Sequence, residues 1–274
     1  MTITKAIIPV AGWGTRRLPI TKSIEKCMLP IGNVPVIDFI VQDCLKAGIA
    51  DFYFVVSGEA HQLRSYYSKQ ADLEAYLTTN GRSDMIPLIT PPKARFHFIT
   101  QDTMDGRYGT TVPVWLCRDY VEEGEQVLVI MGDQFFNRTD GGSNAADLIA
   151  EVTGAGLGAG LLGVPVPEED IPQYGIIEKD ANDNYVRIVE KPAIEDAPSN
   201  LNNASFYLFD SAIFGYFDRH MQTSQPKEYY ITDPINQYVA DGNNIKVCEA
   251  KGEYLDAGTV KGWVHANNVM CGEA

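Results

Sequence analysis

Residues 5–10 form a short, almost wholly apolar run that breaks abruptly at Ala11-Gly12-Trp13-Gly14. A strand apolar on both sides of its pleat has to be covered on both faces, which is the situation of a parallel strand between two layers of helices. From Pro35 the spacing changes, with Val36, Ile37, Ile40, Val41, Cys44 and Leu45 recurring at helical intervals and Gly48 ready to end the helix. Strand, loop and helix then repeat. Residues 51–57, 95–100 and 127–131 read as further strands with helical candidates between them, so the chain predicts an α/β fold built on a doubly wound, mainly parallel (mixed) sheet.

After about residue 155 the apolar runs at 157–166, 174–178, 185–189 and 204–209 are shorter and more strand-like, followed by helical patterns at 210–217 and 232–240, a strand at 245–249 and a closing helix at 259–268. A length of 274 residues accommodates one domain with two halves, residues 1–155 and a smaller half at 156–274. Residues 79–92, with four Pro or Gly, read as a mobile surface loop.

Charge narrows the partners. The net charge of −14 argues against nucleic acid, which needs a basic face. Yet Arg16, Arg17, Lys22 and Lys26 crowd into the loop after the first strand, opposed only by Glu25. Such a cluster is either a solvated basic loop or a pocket for a small polyanion. No apolar stretch reaches the ~18 residues of a membrane span, and the N-terminus lacks the shape of a secretory signal, so a cytoplasmic protein is expected. Five scattered cysteines and four scattered histidines suggest neither disulfides nor a zinc site.

In an open parallel sheet, ligands collect beyond the carboxyl ends of the strands. Three places qualify. Gly12 to Arg17 offers glycines for close backbone approach and arginine forks for phosphate. Arg17 stands where a dinucleotide fingerprint has its third glycine, and no Gly-Lys-Ser/Thr follows, which disfavours both nicotinamide and Walker-type readings. Asp133 follows the fourth strand directly and could hold a metal or cap a helix. Glu190-Lys191-Pro192 ends a later strand and could bind a ligand or form a surface ion pair.

Gly14-Thr15-Arg16-Arg17-Leu18-Pro19-Ile20-Thr21-Lys22-Ser23-Ile24-Glu25-Lys26-Cys27-Met28-Leu29-Pro30 resembles the N-terminal signature of the bacterial sugar-1-phosphate nucleotidylyltransferases, in particular their UTP:glucose-1-phosphate uridylyltransferase branch. Matches continue in order through Gln101, the glycine-rich residues 106–111, Gly132-Asp133, Tyr174-Gly175, Glu190-Lys191-Pro192, residues 228–233 and Leu255-Asp256-Ala257-Gly258-Thr259. The resemblance implies that UTP and glucose 1-phosphate give UDP-glucose and pyrophosphate, with dTTP as the alternative donor or another hexose 1-phosphate as the alternative acceptor. It implies catalytic roles for Arg16 and Lys26. Ala11, Gly12, Gly14, Thr15, Gln101, Gly106 and Gly109 would meet the nucleotide, and Gly175, Glu190 and Lys191 the sugar phosphate. Asp133 and Asp256 would share a Mg²⁺. It further implies a cytoplasmic homo-oligomer, dimer or tetramer. A catalytically silent, sugar-nucleotide-binding paralogue is the competitor from another class, although Lys26 and both aspartates are present.

The chain departs from the family pattern at Glu25 and Cys27, which flank Lys26, at Ser205, where glycine is common, and in Gly106-Arg107-Tyr108-Gly109. A carboxylate about 4 Å from a phosphate charge costs roughly 4 kcal/mol at an effective dielectric of about 20. Glu25 is therefore expected to point away from the triphosphate, and Cys27 to be a small packing residue.

Overall fold

Alternate residues of strand β1 (Lys5–Pro9) enter two different cores, as the computed structural model shows for the described residues 3–58, 60–223 and 228–272. Ala6 and Ile8 join one apolar cluster and Ile7 the other, all at 1% exposure or less. A tight hairpin of β2 (Pro30–Ile31) and β3 (Val34–Pro35) leads into α1 (Val36–Lys46), then β4 (Asp51–Val56), which is buried along its whole length. The chain continues through α2 (His61–Tyr66), α3 (Ala71–Thr79), α4 (Ile86–Ile89), β5 (Arg95–Thr100), α5 (Thr111–Trp115), β6 (Gln126–Ile130), β7 (Gln134–Asn137) and α6 (Asn144–Gly154). The remainder is β8 (Ala159–Pro165), β9 (Gly175–Lys179), β10 (Tyr185–Glu190), β11 (Leu201–Asp210), α7 (Ile213–Met221), α8 (Thr232–Ala240), β12 (Ile245–Glu249), β13 (Glu253–Asp256) and α9 (Val260–Cys271).

The main sheet runs β10-β9-β11-β6-β1-β4-β5, with β8 and β12 joined through β11. Strands β6, β1, β4 and β5 are mutually parallel, whereas β11 pairs antiparallel with β6 and carries the sheet into its mixed half. Apolar residues of α1, α2, α6 and α9 cover one face, and those of α5, α7 and α8 the other. That is the doubly wound, mixed α/β arrangement the periodicity predicts. Among the described residues no helix is long and apolar enough to cross a membrane.

Residues 79–92 differ from the expected loop. They contain the end of α3, a helical turn at Ser83–Met85 and α4. Gly81, at φ 69°, ends α3, and Pro87 sits in the first turn of α4, where its missing N–H costs nothing. The same Pro and Gly residues that suggest a loop here serve as helix punctuation.

Candidate active site

The parallel strands discharge at one edge. Val10 N donates to Val55 O at 2.8 Å, Gly132 N to Pro9 O at 3.3 Å and Gln101 N to Val56 O at 2.8 Å, so the loops after β1, β4, β5 and β6 stay in register beyond the strands. Gly14 adopts φ 63°, a left-handed turn that an L side chain resists, and a Cβ there would stand 3.0 Å from both Thr21 and Lys26. Thr21 Oγ1 closes the loop by donating to Gly14 O at 2.9 Å. Gly12 leaves room on its other side for the Lys26 ammonium, 3.3 Å from where a Cβ would be.

The basic cluster divides. Arg17 is only 2% exposed, and its Nη1 donates to Ala257 O at 2.6 Å, pinning the loop to the segment after β13. Arg16 remains exposed and adds its positive field to both Asp133 and Asp256. Lys26 is not the solvated loop lysine its neighbours suggest. Its side chain is 16% exposed and its Nζ lies 3.2 Å from Asp133 Oδ2. Lys22 stays at the surface, and Thr15 is exposed beside Arg16.

The two aspartates meet through a ribbon that sequence patterns did not reveal. Strands β7 and β13 pair antiparallel with Asp256 opposite Gln134, the residue after Asp133, and Ala257 N donates to Asp133 O at 3.0 Å. Tyr254 OH bonds to Gln134 Oε1, and the Gln134 amide bonds to Ala204 O, tying the ribbon to β11. Neither aspartate caps a helix. Asp133 lies between two strands, and Asp256 Oδ1 accepts from Gly258 N at 2.7 Å while Thr259 caps α9. Their environments separate them electrostatically. Lys26, more than any other group, holds the Asp133 carboxyl below the usual range, whereas burial, and then the Asp133 charge, push that of Asp256 up.

Beside Lys26 opens a cavity of about 480 Å³ lined by Gly12, Trp13, Glu25, Cys27, Gln62 and Thr103 among others. Trp13 is 66% exposed and its indole N–H reaches Thr103 Oγ1 at 3.3 Å, joining the walls formed after β1 and β5. Cys27 is buried, and burial pushes its thiol up to about 12, so it is neutral packing. Glu25 turns to α2, where its carboxylate accepts from Gln62 N at 2.8 Å and Leu63 N at 3.3 Å. Ala11 is buried, and Gln101 is half-buried at the end of β5. Gly106 faces open space, but Gly109 packs on the backbone of Tyr229.

Strands β9 and β10 place Gly175 opposite Glu190, and the Glu190 carboxylate lies over the hydrogen of Gly175. The strand stops there. Lys191 has φ 48° and its N–H bonds back to Tyr174 O at 2.9 Å, so Glu190 and Lys191 do not follow the alternation of a continuing strand. Partial desolvation raises the Glu190 pKa, Lys191 opposes the rise, and Glu228 and Asp233 add to it. Ser205 sits in a bulge of β11 at φ 49°, with its N–H on Asn203 Oδ1 at 3.1 Å. The left-handed backbone explains why glycine suits this position.

A glycine-rich basic loop and two electrostatically coupled carboxylates at the carboxyl edge of a doubly wound sheet define an α/β protein that handles phosphorylated ligands. The chain belongs to the nucleotidyl transferase family, whose profile matches residues 5–272. It is 32% identical over 271 residues to a UTP–glucose-1-phosphate uridylyltransferase of Streptococcus pneumoniae, covering 96% of this chain and 88% of the relative. The enzyme of that name from Haemophilus ducreyi is 30% identical over 276 residues, covering 96% and 91%. A UTP-bound UGPase from Acinetobacter baumannii superimposes with a TM-score of 0.86 at 25% identity, over 98% of this chain and 93% of the other. A UDP-glucose pyrophosphorylase complexed with UDP-glucose gives 0.81 at 26% identity, over 99% and 100%.

Proposed function

We propose that this enzyme transfers uridylyl from UTP to glucose 1-phosphate, forming UDP-glucose and pyrophosphate. The observation that carries the reading is the meeting of Arg16, Lys26, Asp133 and Asp256 at one sheet edge, beside the cavity that Gly12, Trp13 and Lys26 line. A phosphate oxygen of the sugar phosphate attacks the α-phosphorus, and the bond from that phosphorus to the bridging α–β oxygen breaks. Pyrophosphate carries away the electron pair. Because the second pKa of a phosphate monoester is about 6, the attacking group is already mostly dianionic at neutral pH and no side chain need remove a proton. The enzyme's task is to hold two polyanions together in line.

In this reading Arg16 and Lys26 neutralise the triphosphate, with Ala11, Gly12, Gly14 and Thr15 shaping the loop against it. Gln101, at the end of β5, meets the pyrimidine edge. Glu190 binds sugar hydroxyls, Lys191 the sugar phosphate, and Gly175 offers its backbone to the ring. Asp133 and Asp256 suit a Mg²⁺ because the Asp133 charge repels that of Asp256, and a divalent cation held by both would relieve the repulsion. Among the described residues no third His, Cys, Asp or Glu completes a metal cluster, which fits an ion that takes its other ligands from phosphate and water. Bound there, Mg²⁺ would screen the phosphate charges. A cytoplasmic setting and homo-oligomerisation belong to the same proposal.

The test is pyrophosphate release across UTP, dTTP, CTP and GTP with a panel of sugar 1-phosphates. The highest kcat/KM is expected for UTP with glucose 1-phosphate. Preference for dTTP, or for another hexose, would overturn that assignment, and absence of release with every pair would overturn nucleotidyl transfer.

A further inference from the structure

Lys26 stands in a stretch with little regular structure, inside a single helical turn at Lys26–Met28 that follows another at Ile20–Lys22. A lysine side chain is long and rotamer-rich, so its ammonium is aimed only as well as its backbone is held. On the C-terminal side the anchor is apolar, since Cys27 and Leu29 are 2% and 0% exposed. On the N-terminal side it is a polar clasp. Glu25 N donates to Gln62 Oε1 at 2.8 Å, while Gln62 N and Leu63 N donate back to the Glu25 carboxylate at 2.8 and 3.3 Å. The Gln62 amide reaches on to Ser23 O at 3.3 Å.

The clasp solves a problem for each partner. The first N–H groups of α2 have no acceptor within the helix, and Ala60 at its cap position supplies none from its side chain. A carboxylate from 37 residues away fills that role. In return, the loop segment from Ser23 to Glu25 is fixed against a helix that lines the same cavity as Lys26, and Glu25 and Gln62 line it too. Met28 N donating to Glu25 O at 2.8 Å carries the constraint across Lys26 itself.

We propose that Glu25 is a positioning residue, whose two-way clasp with Gln62 sets where the Lys26 ammonium stands at the nucleotide site. This rests on the reading of Lys26 as a triphosphate contact. A helix cap alone would affect stability. A positioning role separates the two substrates.

The test compares the full chain with Glu25→Ala, Glu25→Gln and Gln62→Ala, measuring kcat and KM for UTP and for glucose 1-phosphate, with thermal unfolding alongside. Glu25→Ala is expected to lower kcat/KM for UTP about tenfold, the equivalent of one net hydrogen bond. KM for glucose 1-phosphate should stay within about twofold of the wild type, since the clasp lies on the UTP side. Glu25→Gln should recover only part of the loss, because its amide oxygen still accepts from Gln62 N whereas its NH2 cannot replace the second carboxylate oxygen that accepts from Leu63 N. If Glu25→Ala does not fold, Gln62→Ala supplies the readout, as it leaves the carboxylate on α2 but cuts the bonds to Glu25 N and Ser23 O. Unchanged UTP kinetics in a folded variant, with or without a lower Tm, would overturn the proposal, as would equal losses for both substrates. A wild type that releases no pyrophosphate defeats the functional reading itself, whereas an active wild type with an unaffected Glu25→Ala defeats the clasp alone.

Discussion

Gly106 and Gly109 lie in one loop and both take positive φ, 83° and 134°, yet the structure assigns their alanine variants very different costs. At Gly106 an added Cβ meets nothing within 4 Å, so Gly106→Ala suffers only the backbone penalty of about 1–2 kcal/mol. At Gly109 the Cβ would overlap the backbone N and O of Tyr229 and stand 2.7 Å from its carbonyl carbon. Tyr229 cannot withdraw freely, because its N–H donates to Tyr108 O at 2.7 Å and its C=O accepts from Thr111 N at 2.9 Å. Ile231 N adds a bond to Thr110 Oγ1 at 3.0 Å. Losing two of these bonds, at roughly 0.5–1.5 kcal/mol each, on top of about 1–3 kcal/mol of backbone strain, gives roughly 2–6 kcal/mol for Gly109→Ala. At about 2–4 °C per kcal/mol, its Tm should fall by roughly 4–24 °C and that of Gly106→Ala by roughly 2–8 °C. Calorimetric or dichroic melts of both purified variants measure the difference. Equal Tm shifts would refute the packing argument, and a Gly109→Ala that melts like Gly106→Ala but loses UTP affinity would make Gly109 a nucleotide contact only.

Asp133→Asn and Asp256→Asn should each cut Mg²⁺-dependent pyrophosphate release by about a hundredfold or more while the fold persists, because asparagine keeps the shape but not the charge. Full turnover in both would sink the shared-metal reading. Arg17→Lys should lower stability by about 1–3 kcal/mol in urea unfolding, since an ammonium does not reproduce the buried guanidinium bond to Ala257 O; an unchanged midpoint would show that the loop holds itself. Arg95 and then His97 hold the Asp51 carboxyl below its ordinary value. That depressed pKa contributes stability above the unfolded value of about 3.9, and the contribution is lost as pH falls through the folded one. The stability gap between wild type and Asp51→Asn should therefore be open at pH 7 and close below about pH 4, and a gap that widens in acid would contradict the pairing.

Local periodicity was enough to place β5, α8 and β12 at their observed bounds, to mark Gly12 to Lys26 and Asp133 as residues following strands, and to put Glu190 at the end of one. Those features depend on neighbours a few positions away, so hydrophobic spacing and turn residues encode them directly. Other features were settled only when distant segments met. Nothing local separates Arg16 from Arg17, yet Ala257, 240 residues from Arg17, draws one guanidinium into the interior and leaves the other facing the carboxylates. Asp256 reaches Asp133 because Tyr254 registers with Phe136 in a ribbon too short and too polar to announce itself. Glu25, which sequence alone could only turn away from phosphate, finds its place because α2 presents N–H groups that have no acceptor within their own helix. A sequence determines which groups need burial, a partner or a counter-charge; only the packed chain decides which distant residue supplies it.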